Sequence, residues 1–102
     1  MQDFVELKGA SGRGYRFRVV RTGETPLPMA GNYAIVNWQA GRCSVVRLGM
    51  TNDLSKVHDD APPRDRELVQ TYIRLNVARS AREAEHEDLA AAYQGTKRNA
   101  AE

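Results

Sequence analysis

The stretch GNYAIVNWQAGRCSVVRLG, residues 31–49, constrains the fold more than any other part of the chain. Residues 32–38 are apolar enough for a strand, QAGR supplies a tight turn in which Gly41 is free to take positive φ, and residues 43–48 return. So short a reversal between two such runs makes antiparallel pairing the expected outcome. Gly49 is expected to end the second strand. Thr51 or Asn52 can then cap a short helix through Leu54 to about His58, because either side chain accepts from the exposed N–H groups of a first turn.

The flanking segments extend this reading. Residues 4–8 alternate weakly, GASGRG offers three glycines for a reversal, and residues 15–20 alternate well. Tyr15, Phe17 and Val19 fall on one face of that second strand and Arg16 and Arg18 on the other, which predicts an N-terminal β-hairpin with a basic outer face. TGETPLPMAG reads as a loop and HDDAPPRD as a polar breaker. ELVQTYIRLNV fits two templates: Leu68, Tyr72, Leu75 and Arg79 share a helical face, whereas Val69, Thr71, Ile73, Leu75 and Val77 alternate strictly. Four of those five alternating residues are β-branched, so a strand is expected. Residues 80–95 predict a helix, with Ser80 as N-cap, Glu83 completing a capping box and Gly95 as the stop.

A chain of 102 residues holds one core. The expectation is a single α+β domain, 1–102, built around a small antiparallel sheet. It comprises an N-terminal hairpin and loop (1–30), a strand-strand-helix-strand-helix core (31–95) and a flexible tail (96–102). Cys43 is the one cysteine, which removes intrachain disulfides and suits a cytoplasmic location. No basic-then-apolar leader opens the sequence and no apolar run is long enough to span a bilayer, so a membrane partner is not expected. A net charge of +2 is small, but Lys8, Arg13, Arg16, Arg18 and Arg21 are unaccompanied by any acid between positions 8 and 21.

The element order from Gly31 onward resembles that of the GIY-YIG nuclease domain. Gly31-Asn32-Tyr33 stands where that family has its first motif, Arg47-Leu48-Gly49 where it has its second, and GMTNDLSKV resembles the stretch that follows; AREAEHEDL resembles its last helix. The similarity leaves out residues 1–30. It implies a phenolic oxygen near an attacking water, an arginine on the phosphate and a carboxylate holding a divalent metal. Tyr33 would supply the first, and Glu85, with Glu87 as alternative, the metal-binding carboxylate. The second motif's tyrosine is replaced by Arg47, and Val57 stands where an arginine is expected, with Lys56 about 100° away around a helix. Loss of the arginine implies lost or weakened cleavage, with Mg²⁺ required only if activity survives.

Each of these residues also has a plainer reading. Tyr33 fits a packed strand aromatic, and Glu85, Glu87 and Asp88 fit a solvated helix face. His58 and His86 read as surface histidines, and Trp38 and Cys43 as packing residues beside the turn. The expectation for function is a degenerate GIY-YIG-like domain that binds nucleic acid through its phosphates, using Arg13, Arg16, Arg18, Arg42 and Lys56. Two alternatives stand beside it. One is an active metal-dependent phosphodiesterase in which Arg47 replaces the missing arginine. The other is a protein-binding adaptor or inhibitor. All three allow a homodimer.

Overall fold

The computed structural model describes residues 2–21, 23–60, 69–93 and 97–99. In chain order they form β1 (Phe4–Lys8), β2 (Gly14–Val19), β3 (Gly31–Gln39), β4 (Arg42–Thr51), a 3₁₀ helix (Leu54–Asp60), β5 (Val69–Leu75), α1 (Arg79–Ala92) and β6 (Lys97–Asn99). All six strands join one sheet in the order β1-β2-β5-β3-β4-β6, antiparallel throughout except for the parallel pairing of β6 with β4. The class is α+β, and the alternation of residues 69–75 does produce a strand.

β3 lies at the centre, paired along its length with β4 on one side and from Gly31 to Asn37 with β5 on the other. It is therefore the most apolar strand, with Tyr33, Ala34, Ile35 and Val36 all fully buried. Its connection to β4 is a two-residue turn in which Ala40 and Gly41 have φ of 53° and 77°. Two successive positive φ values match the right-handed twist of a hairpin, and Gly41 adopts its value freely whereas Ala40 is strained. A bulge between Ile35 and Val36 adds Val46 to the facing strand.

The two sheet faces bury different clusters. α1 covers the face that carries Phe17, Ala34, Val36, Leu48 and Tyr72, and it adds Leu89. The Tyr72 hydroxyl donates to the Gln2 carbonyl and accepts from Trp38 Nε1 at 3.2 Å, so the middle of the sheet is tied to the start of β1. On the opposite face, Leu54 and Val57 of the 3₁₀ helix and Val20 close over Tyr33 and Ile73. The first is the helix face of the sheet and the second its loop face.

Several local expectations are corrected. Gly49 does not end β4; it is the cross-strand partner of Tyr33 inside the ladder. A Cβ there would lie 2.3 Å from Tyr33 Cζ, so glycine serves ring packing and not strand termination. The 3₁₀ helix is capped by Asp53, whose Oδ1 accepts from Ser55 N at 2.9 Å, while Thr51 Oγ1 accepts from Asp53 N at 3.0 Å. Ser80 is not an N-cap: α1 starts one residue earlier, its N-cap is Ala78, and no side chain caps it. Residues 97–99, expected to be tail, form β6, because β4 offers an unpaired edge to them. Gly95 and the Pro62-Pro63 breaker lie outside the described residues.

Candidate binding cleft

The sheet divides the residues singled out for catalysis. Tyr33 points to the loop face, and Arg47, opposite Ile35, shares that face. Tyr33 is 1% exposed, with its ring over Gly49 and beneath Leu54 and Val57. Glu85 belongs to α1 on the other face, where its Oε1 accepts from Arg74 Nε at 2.8 Å. The geometry therefore brings Tyr33 and Arg47 to one side and leaves Glu85 on the far side of the sheet.

Asp88, also on α1, is engaged as well. Asp88 accepts from Ser11 N at 2.9 Å, from Ser11 Oγ at 2.7 Å and from the Tyr15 hydroxyl at 2.7 Å. The Ser11 hydroxyl, then Tyr15, hold the Asp88 carboxyl below its ordinary range, while the same carboxylate pushes the Tyr15 phenol up. Asp88 is thus a clamp between α1 and the β1–β2 turn, a correction to its reading as solvated surface. His86 is likewise 2% exposed and not a surface histidine, whereas Cys43 is exposed and not packed. Among the described residues no three His, Cys, Asp or Glu side chains converge to hold a metal ion. Glu85 itself is ion-paired with Arg74.

The basic hairpin is partly neutralised in three dimensions. Cross-strand registers place Arg18 opposite Ile73, and Ile73 opposite Tyr33, so Arg16 and Arg18 lie on the loop face. Arg18 makes a two-pronged pair with Glu24, Nη2 to Oε2 at 2.7 Å and Nη1 to Oε1 at 3.1 Å. The Arg18 guanidinium accordingly holds the Glu24 carboxyl below its ordinary value. Arg21 meets Asp3 at 3.3 Å. Both acids come from outside the segment between positions 8 and 21, which is why the linear sequence overstates its charge. Arg13 is exposed at the turn, 5.9 Å from the Tyr15 ring centroid. Arg42 and Lys56 are exposed at the start of β4 and on the 3₁₀ helix.

Arg16 differs from its neighbours. Among the described residues it makes no ion pair; its guanidinium carbon sits 4.0 Å from the centre of the Phe4 ring. The acid nearest in register, Glu6, is turned toward Gly14, where its carboxyl carbon lies 2.6 Å from the position a Cβ would occupy. Beside Arg16 the ladder between β2 and β5 is short, running through Arg18↔Ile73 and Val19↔Tyr72 only. The strands then diverge around a cleft of about 480 Å³, lined by Phe4, Arg16, Arg18, Leu27, Leu54, Ile73 and Leu75 among others. Three of these are large hydrophobic side chains that remain exposed: Phe4 at 47%, Leu27 at 63% and Leu75 at 54%.

A second polar assembly, missed from sequence, lies under the N-terminal half of α1. Arg82, 6% exposed, donates from Nη1 to the carbonyls of Asn76 at 3.2 Å and Val77 at 2.9 Å, and from Nη2 to Asn52 Oδ1 at 3.4 Å. Asn32 donates to the Arg82 carbonyl at 3.1 Å and accepts from Asn76 at 2.9 Å. The one hint in the sequence was Asn32, a polar residue at the head of the apolar run Tyr33 to Val36. These groups satisfy the carbonyls of the β5–α1 connection and fix the helix over the sheet. Comparison with family models, curated proteins and solved structures gives no match to this chain.

Proposed function

We propose that this chain is a small protein-binding adaptor that seats an apolar side chain of its partner in the loop-face cleft. One observation carries the reading. Three of the five large exposed hydrophobics among the described residues, Phe4, Leu27 and Leu75, line the one cleft. Scattered exposed hydrophobics carry no meaning on their own, but a concave group of them marks a contact surface. The test is selection of a displayed peptide library on the immobilised chain and, in parallel, on the Leu27→Asp/Leu75→Asp variant. A consensus enriched on the first and lost on the second is expected; equal recovery from both overturns the reading.

Nucleic-acid binding is the second reading, favoured by the exposure of Lys8, Arg13, Arg16, Arg42 and Lys56. It predicts retardation of labelled DNA or RNA that weakens with salt and with Arg13→Ala/Arg16→Ala. On this reading the order β3, β4, 3₁₀ helix, β5, α1 corresponds to a GIY-YIG-like core whose cleavage is weakened or lost. A cleavage assay with Mg²⁺ on the same gel tests that kinship: a cut product would restore the phosphodiesterase alternative.

A further inference from the structure

The cleft has an electrostatic character that narrows its partner. We infer that it selects a peptide segment carrying a large apolar side chain beside a carboxylate, with Arg16 receiving the carboxylate. The inference rests on the adaptor reading and deepens it.

Three arginines line the cleft, and one of them, Arg74, is paired with Glu85 at 2.8 Å. Arg18 is committed, because both of its terminal nitrogens engage Glu24 and Nη1 also donates to the Val19 carbonyl at 3.0 Å. That pair contributes no net charge. It does position an apolar wall, because Glu24 also accepts from Arg21 N at 3.0 Å and so ties the segment leading to Leu27 back onto the end of β2. Arg16 keeps its charge. Its guanidinium carbon lies over the Phe4 ring, and its N–H groups make no side-chain hydrogen bond among the described residues, so they can meet an acceptor.

Among the described residues the cleft therefore presents one cation without an ion pair, at the rim of an apolar floor made by Ile73 and Leu54. Its complement is one anion attached to an apolar group. A carboxylate suits the planar fork of an arginine, and an adjacent Phe, Leu or Met side chain suits the floor. A polyanion suits it less well. Successive phosphates need successive free cations, and the Arg18–Glu24 pair removes the cation next to Arg16 on the strand. Pre-tethering of the Leu27 wall also lowers the ordering cost of binding.

The test uses the full chain, ¹⁵N-labelled, titrated with the capped peptide Gly-Ser-Phe-Glu-Ser-Gly and with versions carrying Gln for Glu or Ala for Phe. Expected are amide shifts centred on Leu27, Ile73 and Leu75, near-complete loss with the Ala peptide, and affinity about three- to fivefold weaker with the Gln peptide, as for a partly exposed charge pair. In Arg16→Gln the Glu and Gln peptides should bind alike while the dependence on Phe persists, and Arg16→Lys should restore part of the preference. Equal binding of both peptides to the unaltered chain overturns the assignment of the carboxylate to Arg16 but leaves the apolar cleft standing. Absence of cleft shifts with every peptide overturns the adaptor reading itself. Stronger shifts of the same amides by an oligothymidylate than by any peptide overturn the inference in favour of phosphate.

Discussion

The ring of Tyr33 occupies the space that a side chain at Gly49 would fill, across the central pair of strands. A Cβ at position 49 would stand 2.5 Å from the Tyr33 hydroxyl oxygen and 2.3 Å from Cζ. Tyr33 cannot swing clear, because Leu54 and Val57 roof it. Gly49→Ala should therefore destabilise the fold by about 1–3 kcal/mol through overpacking. Denaturant melts of Gly49→Ala, Tyr33→Leu and the double variant check this: the alanine should cost markedly less once the ring is shortened.

The clamp of α1 on the β1–β2 turn titrates. The folded Asp88 carboxyl lies below its ordinary value of 3.8, so its stabilisation is complete above that pH and is lost as pH falls through the lower folded value. Thermal melts between neutral and strongly acidic pH should show the unaltered chain losing stability across that window. Asp88→Asn should start lower in Tm at neutral pH and show a flatter acid limb. Parallel acid limbs in the two proteins would contradict this account.

Arg82 ties the β5–α1 connection to the sheet with a buried guanidinium whose partners, among the described residues, are neutral oxygens. Arg82→Ala strips the hydrogen bonds from the Asn76 and Val77 carbonyls and should cost about 2–4 kcal/mol, from charged-donor bonds worth about 1.5–3 kcal/mol each, less non-additivity. Chemical denaturation gives the number. A loss of only a few tenths would mean that water replaces the guanidinium at those carbonyls.

The turn between β3 and β4 carries avoidable strain. Ala40 holds φ of 53°, a left-handed conformation that costs an alanine about 1–2 kcal/mol. Asn tolerates that region and favours this turn type, so Ala40→Asn should raise stability by about 0.5–1 kcal/mol, read as a higher Tm. No change in Tm would argue that the turn relaxes in solution.

What the sequence disclosed, and what it hid, follows from how local each determinant is. Both hairpins were legible because alternation and glycine-bearing turns act between neighbours. Residues 69–75 were resolved as a strand by their β-branched content, even though Tyr72, on the other phase of the alternation, is fully buried too. The helix was legible and its cap was not: Ser80 matched a capping pattern, yet the helix begins at Arg79. Everything that depended on distant residues was hidden. Glu24 and Asp3 could not be assigned to Arg18 and Arg21 before the hairpin closed. Gly49 read as a stop because the ring that requires it lies sixteen positions earlier, on another strand. His86 and Asp88 read as solvated because nothing in their own helix reports that β1, its turn and the sheet cover them. The candidate cleft was hidden entirely, since it exists only where β2 and β5 part.

That parting has a kinetic side. The N-terminal hairpin joins the rest of the sheet through a ladder of two residue pairs, Arg18↔Ile73 and Val19↔Tyr72, extended by the bond from Val20 N to the Thr71 carbonyl. β3, in contrast, is stitched on both sides. Such a seam separates a molecule into units that open at different free energies. Amides of β1 and β2 should exchange with solvent deuterium together and ahead of those in β3, through partial openings that leave the central strands intact. The wall of the cleft formed by Phe4 and Arg16 rides on the unit that opens first, so occupancy of the cleft and closure of the seam would be one coupled equilibrium.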